Sequence, residues 1–310
     1  MKQHNFRTSL RRLKRYQMLF LLMVPGMAYL IINNYIPMIG ILIAFKDYGS
    51  ATWLFGGDWV GFKNFEFLFK TSDAWVITRN TLLYNGAFIV LNTVLGIAFA
   101  IFLNEVRHRF FSRFYQGVIL MPFLISMVIV AYIVMAFLNV ENGYLNKHIL
   151  PMLGMETINW YGEPKYWPYI LMIVNTWKSI GYGSVLFLAA IIGIDSEYYE
   201  AAVLDGATKW QQIRKITIPL IMPTITILTI LSVGRIFYSD FGLFYQVPLN
   251  SGPLQPTTDV IDTYVYRSLI TLGDVGMSSA AGLYQSVVGL VLVLFTNYIV
   301  RKKDKDQAIF

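Results

Sequence analysis

Six stretches of this sequence run for about twenty residues or more with at most one charged side chain, and that property excludes most folds. They are Tyr16 to Phe45, Asn80 to Asn104, Phe114 to Val140, Tyr166 to Ile194, Ile216 to Gly234 and Val275 to Val300, with Lys178 the one charge among them. Roughly 18 to 20 apolar residues in a helix cross a hydrocarbon core of about 30 Å. Six crossings are expected, at about 16–45, 80–104, 114–140, 166–194, 216–240 and 275–300. The fifth is carried past Gly234 to take in Arg235 and Asp240. Composition agrees: 56% of the 310 residues are hydrophobic and 14% charged, against about 25% charged in soluble domains.

Basic residues orient such a chain, because loops rich in Lys and Arg stay on the cytoplasmic side. With six crossings, both termini share one side with loops 105–116 and 195–215. That side carries sixteen Lys/Arg and seven acidic residues; the opposite side carries seven and ten. Both termini are therefore expected in the cytoplasm, and the net charge of +7 is a topology signal, with no nucleic-acid partner implied. The N-terminus reads as a retained first span: its basic region precedes about thirty uncharged residues interrupted by Pro25 and Pro37, not a short apolar core with a small-residue cleavage site. The chain has no cysteine and only His4, His108 and His148, so disulfides, thiolate chemistry and a histidine-rich metal centre are not expected.

Residues 1–15 form a basic arm that anchors topology or lies on anionic lipid headgroups, and 16–310 form a single membrane domain without repeats. The segment 46–79 is expected to be extramembrane and is rich in aromatics, including Trp53, Phe55, Trp59, Phe62, Phe65, Phe67, Phe69 and Trp75. They read as an interfacial belt or a docking surface for an external protein. Segment 141–165 is expected to be an irregular or short-helical outer loop, from its Gly and Pro content, and 241–274, with Pro248, Pro253 and Pro256, is expected to be a third outer segment.

The loop 195–217 is different in kind. Asp195 or Ser196 can cap a short helix, Glu197 to Leu204 supply good helix formers, and Gly206 can turn the chain with positive φ. A second amphipathic helix is expected from about Thr208 to Thr217, with Pro219 where the next crossing begins. Within this loop, Glu200-Ala201-Ala202 is followed after three residues by Gly206, and after nine more by Ile216-Thr217-Ile218-Pro219.

That spacing resembles the EAA loop of ABC importer permeases, in which E-A-A, three residues, G, nine residues and I-x-L-P form the coupling loop to an ATPase. Ile218 departs from the usual Leu, an aliphatic exchange of equal size. Trp177-Lys178 followed by Gly181, Asp259 to Arg267, and Ala280 to Leu283 through Asn297 are similar to the subfamily that imports oligosaccharides and complex glycans. The resemblance implies an all-α membrane protein with six transmembrane helices in the type I ABC importer permease fold. It implies Glu200, Ala201, Ala202, Leu204, Asp205, Gly206, Ile216 and Pro219 as ATPase-coupling residues. It further implies a second, homologous permease forming a heterodimer, two cytosolic ABC ATPase subunits, a lipid-anchored or secreted extracellular solute-binding protein, and a carbohydrate substrate. The setting would be the bacterial plasma membrane and its lipids. The chain itself would bind no cofactor and catalyse nothing; ATP and magnesium would be used by the partner ATPase, since the sequence contains no G-x-x-x-x-G-K-[ST] phosphate loop.

Charged groups at membrane depth are costly and normally face a cavity, a partner or one another. Lys178, Arg235 and Asp240, together with Asn175, Trp177, Tyr182 and Tyr238, are candidates for a hydrophilic substrate path. Aromatic faces and hydrogen-bonding tips suit a ligand with apolar ring faces and many hydroxyls. A structural role between helices is the alternative, and Arg235 and Asp240 are close enough in sequence to pair around one helix. Two other functions fit the composition. An ion-coupled secondary transporter would need buried carboxylates or matched broken helices, and a membrane enzyme would need a catalytic or metal-ligand cluster; the sequence offers neither beyond Asp240.

Overall fold

The computed structural model describes residues 16–48, 56–66, 70–106 and 108–303. The basic arm 1–15 and the aromatics Trp53, Phe55, Phe67 and Phe69 lie outside the described residues. No strand is present among the described residues beyond one isolated bridge between Lys46 and Trp59.

Four helices are long and apolar enough to cross a membrane, and two bent pairs raise the number to as many as six. The first, α1 (Gln17–Phe45), contains Pro25 and Pro37. A π turn at Ile31–Tyr35 immediately precedes Pro37; one widened turn accommodates a ring that brings no N–H and crowds the preceding carbonyl. Helix α2 (Ser72–Glu105) begins earlier than the expected 80, because Thr71 accepts a hydrogen bond from the Ala74 N–H at 3.3 Å and Asp73 sits in the first turn. The two features complement the exposed amides and positive dipole of a helix start. Arg79, expected in a loop, is therefore helical.

The expected crossing 114–140 is broken. It consists of α3 (Arg109–Leu124) and α4 (Met127–Leu138), bent by 94° at the intervening pair. Pro122 withdraws a donor near the end of α3, and Ser126 starts α4 by accepting from the Ile129 N–H at 3.4 Å. Helix α5 (Trp167–Ile192) matches its expected span and leads at 71° into the short α6 (Ser196–Leu204).

No separate amphipathic helix covers 208–217. Helix α7 (Lys209–Gly234) runs without interruption from the loop into the fifth crossing. A π turn at Ile213–Thr217 lies just before Pro219, as in α1, so the proline sits within the helix and does not start it. At the other end, the expected span 216–240 stops at Gly234, and Arg235 turns out of the helix with φ −105° and ψ 12°. Two short helices, α8 (Phe241–Gln246) and α9 (Ile261–Arg267), precede the final crossing α10 (Val275–Lys303).

Helices α2 and α5 form the central pair, with α3 against α5 and α7 against α10. Gly181 lets α3 approach α5, since a Cβ there would overlap the Ile119 carbonyl. One apolar core joins Tyr84 and Phe88 of α2, Trp167 and Leu171 of α5, Val130 of α4 and Leu243 of α8. Another, towards the α6 end, joins Leu103, Phe187, Ile191 and Ile221. Segment 241–274 is largely enclosed. Leu243, Val247, Leu254, Val260 and Ile261 are fully buried, and the segment folds back on α2.

Candidate functional site

Asp195 caps α6, accepting from the Glu197 N–H at 3.0 Å. At the other end, Gly206 has φ +75°. The Ala207 N–H donates to the Ala202 carbonyl at 2.8 Å and the Gly206 N–H to the Val203 carbonyl at 3.0 Å, the paired bonds of a Schellman closure. A Cβ on Gly206 would meet nothing within 4 Å, so the position selects glycine by dihedral angle and not by space. Thr208 and Gln211 then form a capping box that starts α7.

The resulting knob is held by few bonds. Tyr199 reaches Thr217 at 2.9 Å, Gln212 donates to the Ala207 carbonyl at 3.2 Å, and Lys209 pairs with Glu105 of α2 at 3.2 Å. No residue of α6 is buried, and Leu204 is 89% exposed. Glu200, Ala201, Asp205 and Gly206 are exposed, Ala202 and Ile216 are half-buried, and Pro219 is exposed on α7. The Glu200 carboxylate makes no hydrogen bond or ion pair among the described residues. A cleft of about 480 Å³ opens beside it, between α6, Asn104 and Glu105 of α2, and Lys209. Apolar side chains directed outward with an unpaired carboxylate make a surface suited to a partner.

The seven candidates for a substrate path do not stay together. Asn175, Tyr182, Arg235 and Tyr238 line one cleft of about 620 Å³ between α2, α5 and α7. Asn92 of α2 donates to the Asn175 Oδ1 at 3.1 Å, and its own carbonyl oxygen is buried without a donor. Tyr182 stacks on Phe123 with ring centroids 4.8 Å apart, and the Tyr238 hydroxyl bonds to Ser286 of α10 at 2.7 Å.

Lys178, Trp177 and Asp240 do not line that cleft. The Lys178 ammonium binds the carbonyls of Pro122 at 3.3 Å, Phe123 at 3.0 Å and Ile125, and lies 5.9 Å from the Phe123 ring. It satisfies the orphaned carbonyls that end α3 and favours that negative helix terminus, which makes it the brace of the 94° bend. Asp240 caps α8, accepting from the Leu243 N–H at 3.1 Å. Arg235 and Asp240 form no ion pair, because the helix that would have carried both ends before either. Trp177 is 41% exposed.

Asn85 and Asn92 are the residues that sequence reasoning passed over. Asn85 binds the Ile236 carbonyl at 2.8 Å and Ser239 at 3.0 Å, fixing the turn that carries Arg235 and Tyr238. The signal was available: two amides seven apart in an uncharged block share one face of a helix. Beyond the membrane segments, burial pushes the Asp262 carboxyl above its ordinary range, partly offset by the Ser239 N–H at 2.8 Å and Gln285 at 3.4 Å. Among the described residues no group of three or more His, Asp or Glu is placed to hold a metal.

Residues 92–305 match the family described as binding-protein-dependent transport system inner membrane component. Over 295 residues the chain is 38% identical to protein LplB of Bacillus subtilis, covering 95% of this chain and 92% of that one. It is 33% identical to the polygalacturonan/rhamnogalacturonan transport system permease protein YteP of the same organism, over 98% and 94% of the two chains. Among solved structures, a chain of the bacterial alginate ABC transporter in complex with an alginate pentasaccharide-bound periplasmic protein aligns with a TM-score of 0.86 and 33% identity. That alignment covers 95% of this chain and 98% of the other. With its helical architecture, projecting loop and these similarities taken together, the chain belongs to the binding-protein-dependent inner-membrane permeases and is a transport subunit of the type I ABC importer fold.

Proposed function

We propose that this permease is one half of a heterodimer that passes oligosaccharides, handed over by an extracellular solute-binding protein, and that two cytosolic ATPase subunits drive it through α6. Both termini and the knob then lie in the cytoplasm, in keeping with the sixteen Lys/Arg on that side. The observation that carries the reading is α6 itself: a capped, glycine-closed helix with no buried residue, set at 71° to the span before it. Such a helix has little to stabilise it alone, and its exposed Leu204 and unpaired Glu200 gain partners when an ATPase cleft receives them. Residues Glu200, Ala201, Ala202, Leu204, Asp205 and Gly206 form the docking face, while Ile216 and Pro219 belong to the rod behind it. The cargo reading is supported by the cleft of amides, hydroxyls and aromatic rings, and by the alginate and polygalacturonan/rhamnogalacturonan transport of similar proteins.

The chain has no cysteine, so Ala201→Cys supplies a unique thiol. In membranes holding the whole importer, a maleimide–diazirine photocrosslinker is expected to join this position to the ATPase, while Glu200→Lys lowers ATP-driven oligosaccharide uptake at least about tenfold with normal permease abundance. Failure of the crosslink together with unchanged uptake in Glu200→Lys overturns the proposal.

A further inference from the structure

Among the described residues, the cleft between α2, α5 and α7 is lined by a cation and no anion. Arg235 is the one charged side chain among those described residues lining it, and its guanidinium makes no hydrogen bond or ion pair with any of them. Two acidic residues that serve this turn are committed elsewhere, Asp240 to the Leu243 N–H and Asp262 to the Ser239 N–H and Gln285. An unpaired charge in a membrane domain is expensive and marks a path or a ligand. The turn that holds Arg235 is also built with care: Asn85 binds the Ile236 carbonyl, and the Tyr238 N–H donates to the Arg235 carbonyl at 2.8 Å.

We infer that Arg235 reads a carboxylate on the sugar, so that the cleft selects acidic, uronate-bearing oligosaccharides over neutral ones. A guanidinium presents a planar fork of donors that matches a carboxylate with two parallel bonds. Asn175 and Ser179 supply polar groups for hydroxyls, and the ring of Tyr182 supplies a face for the apolar side of a pyranose. The inference rests on the oligosaccharide-importer reading and assigns the discrimination to one side chain.

The test uses the complete importer, purified into nanodiscs without its binding protein. The probes are trigalacturonate and the same trimer with each carboxyl reduced to a hydroxymethyl group, and binding is measured by calorimetry. The intact assembly is expected to hold the acidic trimer at least about tenfold more tightly, as one charge-assisted pair provides. Arg235→Gln is expected to abolish that preference with unchanged affinity for the reduced trimer, and Arg235→Lys to keep part of it. Equal affinities in the unaltered assembly, no binding of either trimer, or equal weakening of both in Arg235→Gln would overturn the inference. So would loss of the permease pair in Arg235→Gln, which would assign the guanidinium to a carboxylate of the second subunit. Absent discrimination with an intact Ala201→Cys crosslink removes this inference alone; absence of the crosslink removes the importer reading beneath it.

Discussion

The α6 knob and segment 235–274 are both polar stretches set between crossings, yet they are stabilised by opposite means. The bonds that cap α6 span five residues or fewer, from the Asp195 cap to the Ala207–Ala202 closure, and the knob is tied further by Tyr199 to Thr217 and Lys209 to Glu105. The other segment is tied across the whole chain: Tyr84 to the Thr257 carbonyl at 2.8 Å, Asn80 to the Asp259 carbonyl at 2.9 Å, and the Ile261 N–H to Thr81 at 3.1 Å. One is capped almost entirely by its own neighbours in sequence. The other is fixed to α2 and becomes part of the core.

The largest test of that contrast is Arg267→Met. Arg267 pairs with Asp259, whose other oxygen accepts from Thr263, and the pair is mostly buried, with side chains 23% and 9% exposed. Removing the guanidinium leaves an uncompensated buried carboxylate, expected to cost about 3 kcal/mol and read as a drop in the thermal midpoint of the purified protein. A midpoint unmoved by this change would dissolve the distinction between the two regions.

A smaller effect is expected at the knob. Gly206→Ala forces a side chain into positive φ with no clash, at a cost of about 1 kcal/mol. Because the strain is local, the thermal midpoint should barely shift, while hydrogen exchange of the α6 amides accelerates several-fold. A fall in midpoint comparable to Arg267→Met would show that the knob is coupled to the core after all. The smallest effect belongs to Lys209→Met. The Lys209–Glu105 pair has side chains 64% and 45% exposed, and such pairs contribute about 0 to 1 kcal/mol; stability should be unchanged within error at physiological salt.

The same contrast explains what could be read from the sequence. Charge-free blocks and basic loops announce helical crossings because they answer to the solvent alone, and Gly206 announces a turn because its requirement is local. Helix ends were less legible. The end of α7 depends on Asn85 holding carbonyls about 150 positions away, and the break between α3 and α4 depends on Lys178 reaching across to α3. Pro248 falls in a turn, whereas Pro253 and Pro256 sit in the first turns of short helices. Nothing in that stretch alone showed that Leu254 and Val260 would be enclosed by partners from α2 and α5, or Ile261 by Ile77 and Phe237. Four members of the proposed path were brought to one cleft, while Lys178 and Asp240 had the polarity of a path and the duties of scaffold.

The unbroken course of α7 carries a mechanical implication. At about 1.5 Å per residue, the 26 residues from Lys209 to Gly234 make a pushrod of about 39 Å. Its lower tip is seated by Thr208 directly behind the knob, and its upper tip hands straight on to Arg235. Had Pro219 severed this shaft, motion at the base would dissipate in a slack joint. Because a widened turn absorbs the proline instead, the knob and the Arg235 guanidinium sit at opposite extremities of one continuous helix; under the proposed function, grip on the cargo and the power stroke would share one axle.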